Sequence, residues 1–203
     1  MPITIQKLTE KFNLIINGKV LWNNKIPETG LGIYIISTSN DMNQNLGTTE
    51  VPAFDSMLVE SWTRISKDLK LNSSDRPSVS EILNELEKRW HPNENILYIG
   101  KGTGNKGLDG RIKQFYDHQV GYSSPHAGGS WIKLLKNHPK LYIYYSKCPN
   151  PENVEFQLLL HFAELLSGKS YYELNNIGKY LPFANLLIDL NKKHKFEKMY
   201  TRK

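Results

Sequence analysis

A single cysteine, Cys148, stands in 203 residues. That excludes an internal disulfide and any cysteine-based zinc cluster, and it suits a reducing compartment. There is no run of about 18 apolar residues, so no membrane-spanning helix is expected. The opening MPITIQKLTEKF lacks the apolar core of a signal peptide, and the expected location is cytoplasmic. No G-x-S-x-G elbow is present, and no Gly-Lys-Ser/Thr closes a phosphate loop. The six histidines include His118, His126 and His138, which are too dispersed and too poor in cysteine partners for a zinc knuckle. Hydrolysis by a serine or cysteine triad is therefore unsupported.

Positive charge, by contrast, is in excess and unevenly spread. The formal net charge is +6. Residues 41–92 carry six Lys/Arg against nine Asp/Glu, leaving 20 against 11 on the remainder. A basic body with a mildly acidic segment suits a polyanionic partner, and equally a solubilising surface.

Along the chain, FNLIING and KVLW flank Asn17–Gly18 and predict an N-terminal β-hairpin. GIYIIS predicts the next strand. A polar stretch follows, then two helical patterns: PAFDSMLVESWTRISKDLK, apolar at Phe54, Leu58, Ile65 and Leu69, and SVSEILNELEKRW, which opens with the capping-box pair Ser78 and Glu81. NILYIG predicts a strand, LDGRIKQFYDHQ a helix with Leu108, Ile112 and Phe115 on one side, SWIKLLKN a short helix, KLYIYYS a strand and PENVEFQLLLHFAELLSG a helix. The pattern gives a small α+β or mixed α/β domain around a central sheet, with a helical hairpin inserted between two of its strands.

The turn after NILYIG contains a formal G-x-G-x-x-G at Gly102, Gly104 and Gly107. A dinucleotide site also needs a second parallel strand within about 30 residues and an acidic residue about 20 positions on. GYSSPHAGGSW, at residues 121–131, offers neither. What remains suits phosphodiester chemistry: tyrosines on two strands, an arginine early in a helix, a glutamate on a later helix and a basic body. Such a reaction needs an activated water, positive charge near the phosphate and usually a divalent cation on a carboxylate.

These residues carry a resemblance. Gly32-Ile33-Tyr34 and Tyr98-Ile99-Gly100, then Arg111, Glu155 and Asn185, resemble in order the signature elements of the GIY-YIG nuclease superfamily, closest in style to its type II restriction enzymes. The resemblance implies one α+β GIY-YIG nuclease domain over residues 1–203, its active site lying across a small mixed central sheet, elaborated by an N-terminal hairpin (1–29), the helical insertion (41–92) and a basic tail (188–203). It also implies a metal-dependent endonuclease acting on DNA, most readily double-stranded, of restriction or phage-defence type. Glu155 would bind Mg²⁺, with Mn²⁺ as a substitute. Arg111 would contact the scissile phosphate and Tyr34 would activate or position water. Tyr98 would hydrogen-bond the phosphate or its water, Lys101 would help activate or neutralise, and Asn185 would brace the site. Lys101, Arg111 and the cation would supply a field favouring the Tyr34 phenolate.

Three departures from the family pattern stand out. A helical insertion lies between the two signatures. Phe115 occupies the position where a Tyr or His is common, leaving Tyr116 or His118 as substitutes. Glu155 and Asn185 are unusually far apart. Lys106, Lys113, His126, Trp131 and Lys133 are the expected nucleic-acid contacts, and the insertion, with Arg64, Lys67 and Lys70 near one helix end, would dock on DNA or mediate a homodimer. A structure-specific repair or recombination nuclease, a single-strand or RNA nuclease, and a catalytically silent nucleic-acid-binding module are the alternatives.

Overall fold

The computed structural model describes residues 3–45, 47, 50–65, 70–71, 74–75, 77–121 and 127–185. Six α-helices and two sheets are present among them. The chain opens with a short helix, α1 (Ile5–Glu10), whose first turn is capped by the Thr4 hydroxyl accepting from Lys7 N–H at 3.0 Å. Strands β1 (Gly18–Leu21), β2 (Gly32–Ser37), β5 (Ile96–Gly102) and β6 (Tyr142–Lys147) form the main sheet in the order β1-β6-β2-β5. Between β2 and β5 lie α2 (Ser56–Ile65), a two-stranded ribbon β3 (Lys70–Leu71) and β4 (Ser74–Asp75), and α3 (Val79–Arg89). After β5 come α4 (Gly107–Asp117) and α5 (Ala127–Lys133), and after β6 the long α6 (Pro151–Ser167).

Two expectations about the sheet need correction. The sheet is not mixed, because β1 with β6, β6 with β2, and β2 with β5 all pair antiparallel. Nor is there an N-terminal hairpin. Asn17–Gly18 turns nothing back on itself; Gly18 begins β1, which pairs with β6, Gly18 opposite Tyr145. The residues before it belong to α1 and an irregular connection. A turn dipeptide between apolar runs is a local signal, and here the vacant edge of β6 captured the second run.

Alternation along β2 makes the core two-sided. Tyr34 and Ile36 point to one face, with Phe115, Ile112 and Leu108 from α4, Val59 and Trp62 from α2, Ile82 and Leu86 from α3, and Trp131 from α5. Ile33 and Ile35 point to the other, with Leu158, Leu159 and Phe162 from α6 and Ile5 and Leu8 from α1. The inserted helices thus pack together on the α4 side. The capping box on α3 is formed as predicted, Ser78 N–H donating to Glu81 Oε2 at 2.7 Å and Glu81 N–H to Ser78 Oγ. In α2 the buried residues are Val59 and Trp62, whereas Ile65 is half exposed and Phe54 precedes the helix. Of the predicted stripe, Phe54 and Leu58 face the core, Ile65 does not, and Leu69 lies outside the described residues. Lys67 and the 188–203 tail lie outside the described residues.

Candidate active-site cleft

The site is built from the end of β5 outward. A register shift between β2 and β5 at Ile36/Ser37 sets Ile36 opposite Tyr98 and Ser37 opposite Ile96. Leu97 and Tyr98 therefore both serve the α4-side core. Tyr34 lies opposite Gly100, and the reason for glycine there is steric. A Cβ at Gly100 would meet the Tyr98 ring at 2.5 Å and Tyr34 Cζ at 2.6 Å. With no side chain between them, the two rings approach to 5.8 Å. Phe115 presses edge-on against both, at 6.2 Å from Tyr34 and 5.2 Å from Tyr98. A ring with no hydroxyl suits that position, because it is fully buried.

The glycine-rich turn then delivers α4. Gly107 has φ +52°, and a Cβ there would meet the Thr29 carbonyl oxygen at 1.7 Å. Leu108 N–H donates to Gly30 O at 2.9 Å and Asp109 N–H to Glu28 O at 3.0 Å. Backbone donors that a pyrophosphate would use at a helix start are therefore already engaged, which removes the dinucleotide reading of the G-x-G-x-x-G.

A cleft of about 390 Å³ results, lined by Tyr98 and Lys101 of β5, Thr103, Asn105 and Lys106 of the turn, Arg111 and Gln114 of α4, and Glu155 of α6. The two helices pack on opposite faces of the sheet, so the cleft forms where both reach the end of β5. Lys101 Nζ lies 2.7 Å from Glu155 Oε2. Arg111 Nη1 donates to Gln114 Oε1 at 3.1 Å. Burial raises the Glu155 carboxyl above its usual range, against the pull of Lys101 and Arg111.

Tyr34 is 1 % exposed and does not line the cleft; it stands behind the wall, and Tyr98 and Arg111 both hydrogen-bond its hydroxyl. Burial pushes this phenol well above its ordinary value, and the Arg111 charge offsets only part of that. Tyr98 is raised as well, by burial first and then by the neighbouring Tyr34 and Glu155. The expected cationic field at Tyr34 thus exists but is outweighed, so its phenol stays protonated.

Asn185 closes the outer edge of β5. Its amide donates to Ile99 O at 2.8 Å and its Oδ1 accepts from Ile99 N–H at 2.9 Å. Its own carbonyl receives Arg89 Nη2 at 3.2 Å. It braces the strand that carries Tyr98 and Lys101, without lining the cleft.

Other sequence candidates lie elsewhere. Tyr116 donates to Asn24 O at 3.1 Å and stacks edge-on with Trp22; it lines a second groove, with Lys25, Asp109 and Lys113. Lys113 there pairs with Asp117 at 2.8 Å. His118 is fully buried, its Nε2 2.8 Å from Ser130 Oγ. Burial and then the Lys133 charge lower it to about 4. Neither Tyr116 nor His118 reaches the cleft as a substitute base. Trp131, expected to touch nucleic acid, is wholly buried, with the Arg89 guanidinium 5.5 Å from its ring centroid. The Lys133 ammonium is tied to the Tyr116 and His118 carbonyls at the end of α4. His126 lies outside the described residues. Thr103, Asn105 and Gln114 were not anticipated; only Gln114 had a usable signal, its i+3 spacing from Arg111.

No family model, curated protein or solved structure matches this chain. No group of three or more His, Cys, Asp or Glu side chains suited to a metal occurs among the described residues. Nor, among them, is any helix long and apolar enough to cross a membrane. A divalent cation that keeps most of its waters and uses substrate phosphates needs only one or two protein carboxylates. Glu155, the one carboxylate among the described residues that line the cleft, would meet that lesser requirement.

Proposed function

We propose that this protein is a metal-dependent endonuclease of the GIY-YIG type that hydrolyses phosphodiester bonds in DNA. The observation that carries the reading is convergence: Tyr98, Lys101, Arg111 and Glu155, drawn from two helices and a strand, line one cleft with Tyr34 directly behind it. Among the described residues, three cations, Lys101, Lys106 and Arg111, line the cleft with a single carboxylate. This is a charge balance for a phosphate and against a neutral substrate.

In the reaction, water adds to phosphorus as the bond to one ester oxygen breaks, and that oxygen leaves with a proton. Arg111 and Lys106 offset the charge that grows on the non-bridging oxygens. Tyr98 lines the cleft wall, with its hydroxyl donating to Tyr34. Tyr34, kept neutral by burial, acts as a positioning residue: it holds Arg111 and Tyr98 through its hydroxyl. Glu155 would hold a divalent cation, which when bound supplies positive charge to acidify a water and polarise a phosphate oxygen.

Incubating supercoiled plasmid and single-stranded DNA with the protein in Mg²⁺, in EDTA, and as Glu155→Ala tests the reading. Metal-dependent cutting lost in the variant is the expected result, with discrete bands marking sequence specificity. Binding without cutting in either Mg²⁺ or Mn²⁺ identifies a silent nucleic-acid-binding module instead.

A further inference from the structure

We infer that Lys101 changes partners as the cleft fills, leaving Glu155 for the phosphate, so that a divalent cation and a phosphodiester bind cooperatively rather than independently. This rests on the reading of the cleft as a metal-dependent nuclease site.

The starting point is the ion pair, Lys101 Nζ to Glu155 Oε2 at 2.7 Å, with side chains 29 % and 17 % exposed. Glu155 is the carboxylate to which a cation would bind, and Lys101 already neutralises it. Either ligand arriving alone must compete with that pair. A cation at Glu155 meets the Lys101 ammonium beside it, and a phosphate drawing Lys101 away strands a largely buried carboxylate. Leaving one half of a desolvated pair without its partner is the expensive outcome. When both ligands arrive, the pair is broken once and each half regains a partner of opposite charge.

The scaffold suits such an exchange. Lys101 is anchored through its backbone in β5, opposite Ile33, while its four-carbon stem lets the ammonium move between acceptors. Glu155 sits in the second turn of α6, after Pro151. Lys106 and Arg111 line the same cleft, so an entering phosphate is drawn within reach of Lys101. The device also keeps the site from holding a cation tightly when no nucleic acid is present.

The test is Mn²⁺ binding, followed by the paramagnetic resonance of the free ion, with and without a short mixed-sequence DNA duplex and with a duplex-only control. For the wild type, the duplex should tighten Mn²⁺ binding by roughly tenfold, within the usual range of coupling between sites. In Lys101→Met, Mn²⁺ should bind more tightly in the absence of DNA, and the effect of the duplex should fall below about threefold. Lys106→Met removes the same charge from the same cleft without touching Glu155, so it should weaken duplex binding yet retain the coupling. Thermal unfolding of each variant checks that it is folded, and Lys101→Arg should restore most of the coupling.

If Lys101→Met keeps the wild-type coupling, the exchange is wrong while the nuclease reading stands. If Mn²⁺ does not bind with or without duplex, or binds equally to Glu155→Gln, both fail together.

Discussion

Two regions flank α4, and they hold much the same kinds of residue. At one end of the molecule Tyr98, Lys101, Arg111 and Glu155 line an open cleft. Around the C-terminal end of α4, Tyr116, His118, Ser130, Trp131 and Lys133 are tied to one another, to backbone carbonyls or into the core. Both sets look functional as a list of residue types. The difference is where their polar atoms point. In the cleft, charged groups meet one another across space large enough for a ligand; around His118, each described hydrogen bond closes inward and the imidazole is held neutral by burial. A tyrosine, histidine and lysine placed together mark a site only when the fold leaves part of their bonding capacity facing a cavity.

Substitutions can break that contrast, and the largest effect is expected in the core. Trp131→Ala should lower stability by about 3–5 kcal/mol, as for large aromatic truncations generally, read by denaturant unfolding. Cleavage per folded molecule should not change. A selective loss of DNA affinity with normal stability would instead restore Trp131 to the nucleic-acid surface. Next, Arg111→Ala should reduce kcat by about 10²–10³-fold, the usual cost of losing one donor to a developing oxyanion. Its unfolding midpoint should move little. His118→Ala should cost about 1–3 kcal/mol through the lost partner of Ser130, and the pH profile of cleavage should keep its shape; a displaced profile would make the imidazole a base after all.

A further expected effect concerns Glu94, which belongs to neither region. Its carboxylate accepts from Ile3 N–H at 3.3 Å and from Asn45 at 3.2 Å, and burial raises it to about 7. Because the folded value lies above the unfolded one of about 4.3, the associated stability is complete at low pH and is lost as pH rises through about 7. Glu94→Gln should therefore flatten the fall of Tm between about pH 5 and pH 8, leaving activity per folded molecule unchanged.

Much of the scaffold was legible because its signals are local. The strands at 32–37, 96–102 and 142–147, the capping box at Ser78 and the helix that starts at Pro151 each follow from residues within one element. What misled was equally local. Asn17–Gly18 looks like a hairpin turn, yet β1 pairs with β6, more than a hundred residues away. The apolar spacing puts Phe54 in the helix that carries Leu58, but it forms a bridge with Leu135 before α2 begins. In the site, Lys101, Arg111, Glu155 and both tyrosines were named in advance, and Asn185 was expected as a brace. The resemblance gives Tyr34 the water to activate or position; the fold sets it behind Arg111 and Tyr98. The reason is that strand alternation tells which face a side chain takes, but not what will be packed over it.

By itself the sequence determined the residue types available for chemistry, the alternation that gives β2 two buried faces, and the glycines at 100 and 107 that let rings and backbone approach closely. Only the tertiary structure decided which of those residues share one space. Glu155 reaches Lys101, and Arg111 reaches Tyr34, because α6 and α4 cross opposite faces of the same sheet and meet at the end of β5. His118 and Trp131 were withdrawn from any ligand because the core closed over them. Burial and proximity are properties of packing between distant segments, and no local pattern encodes them.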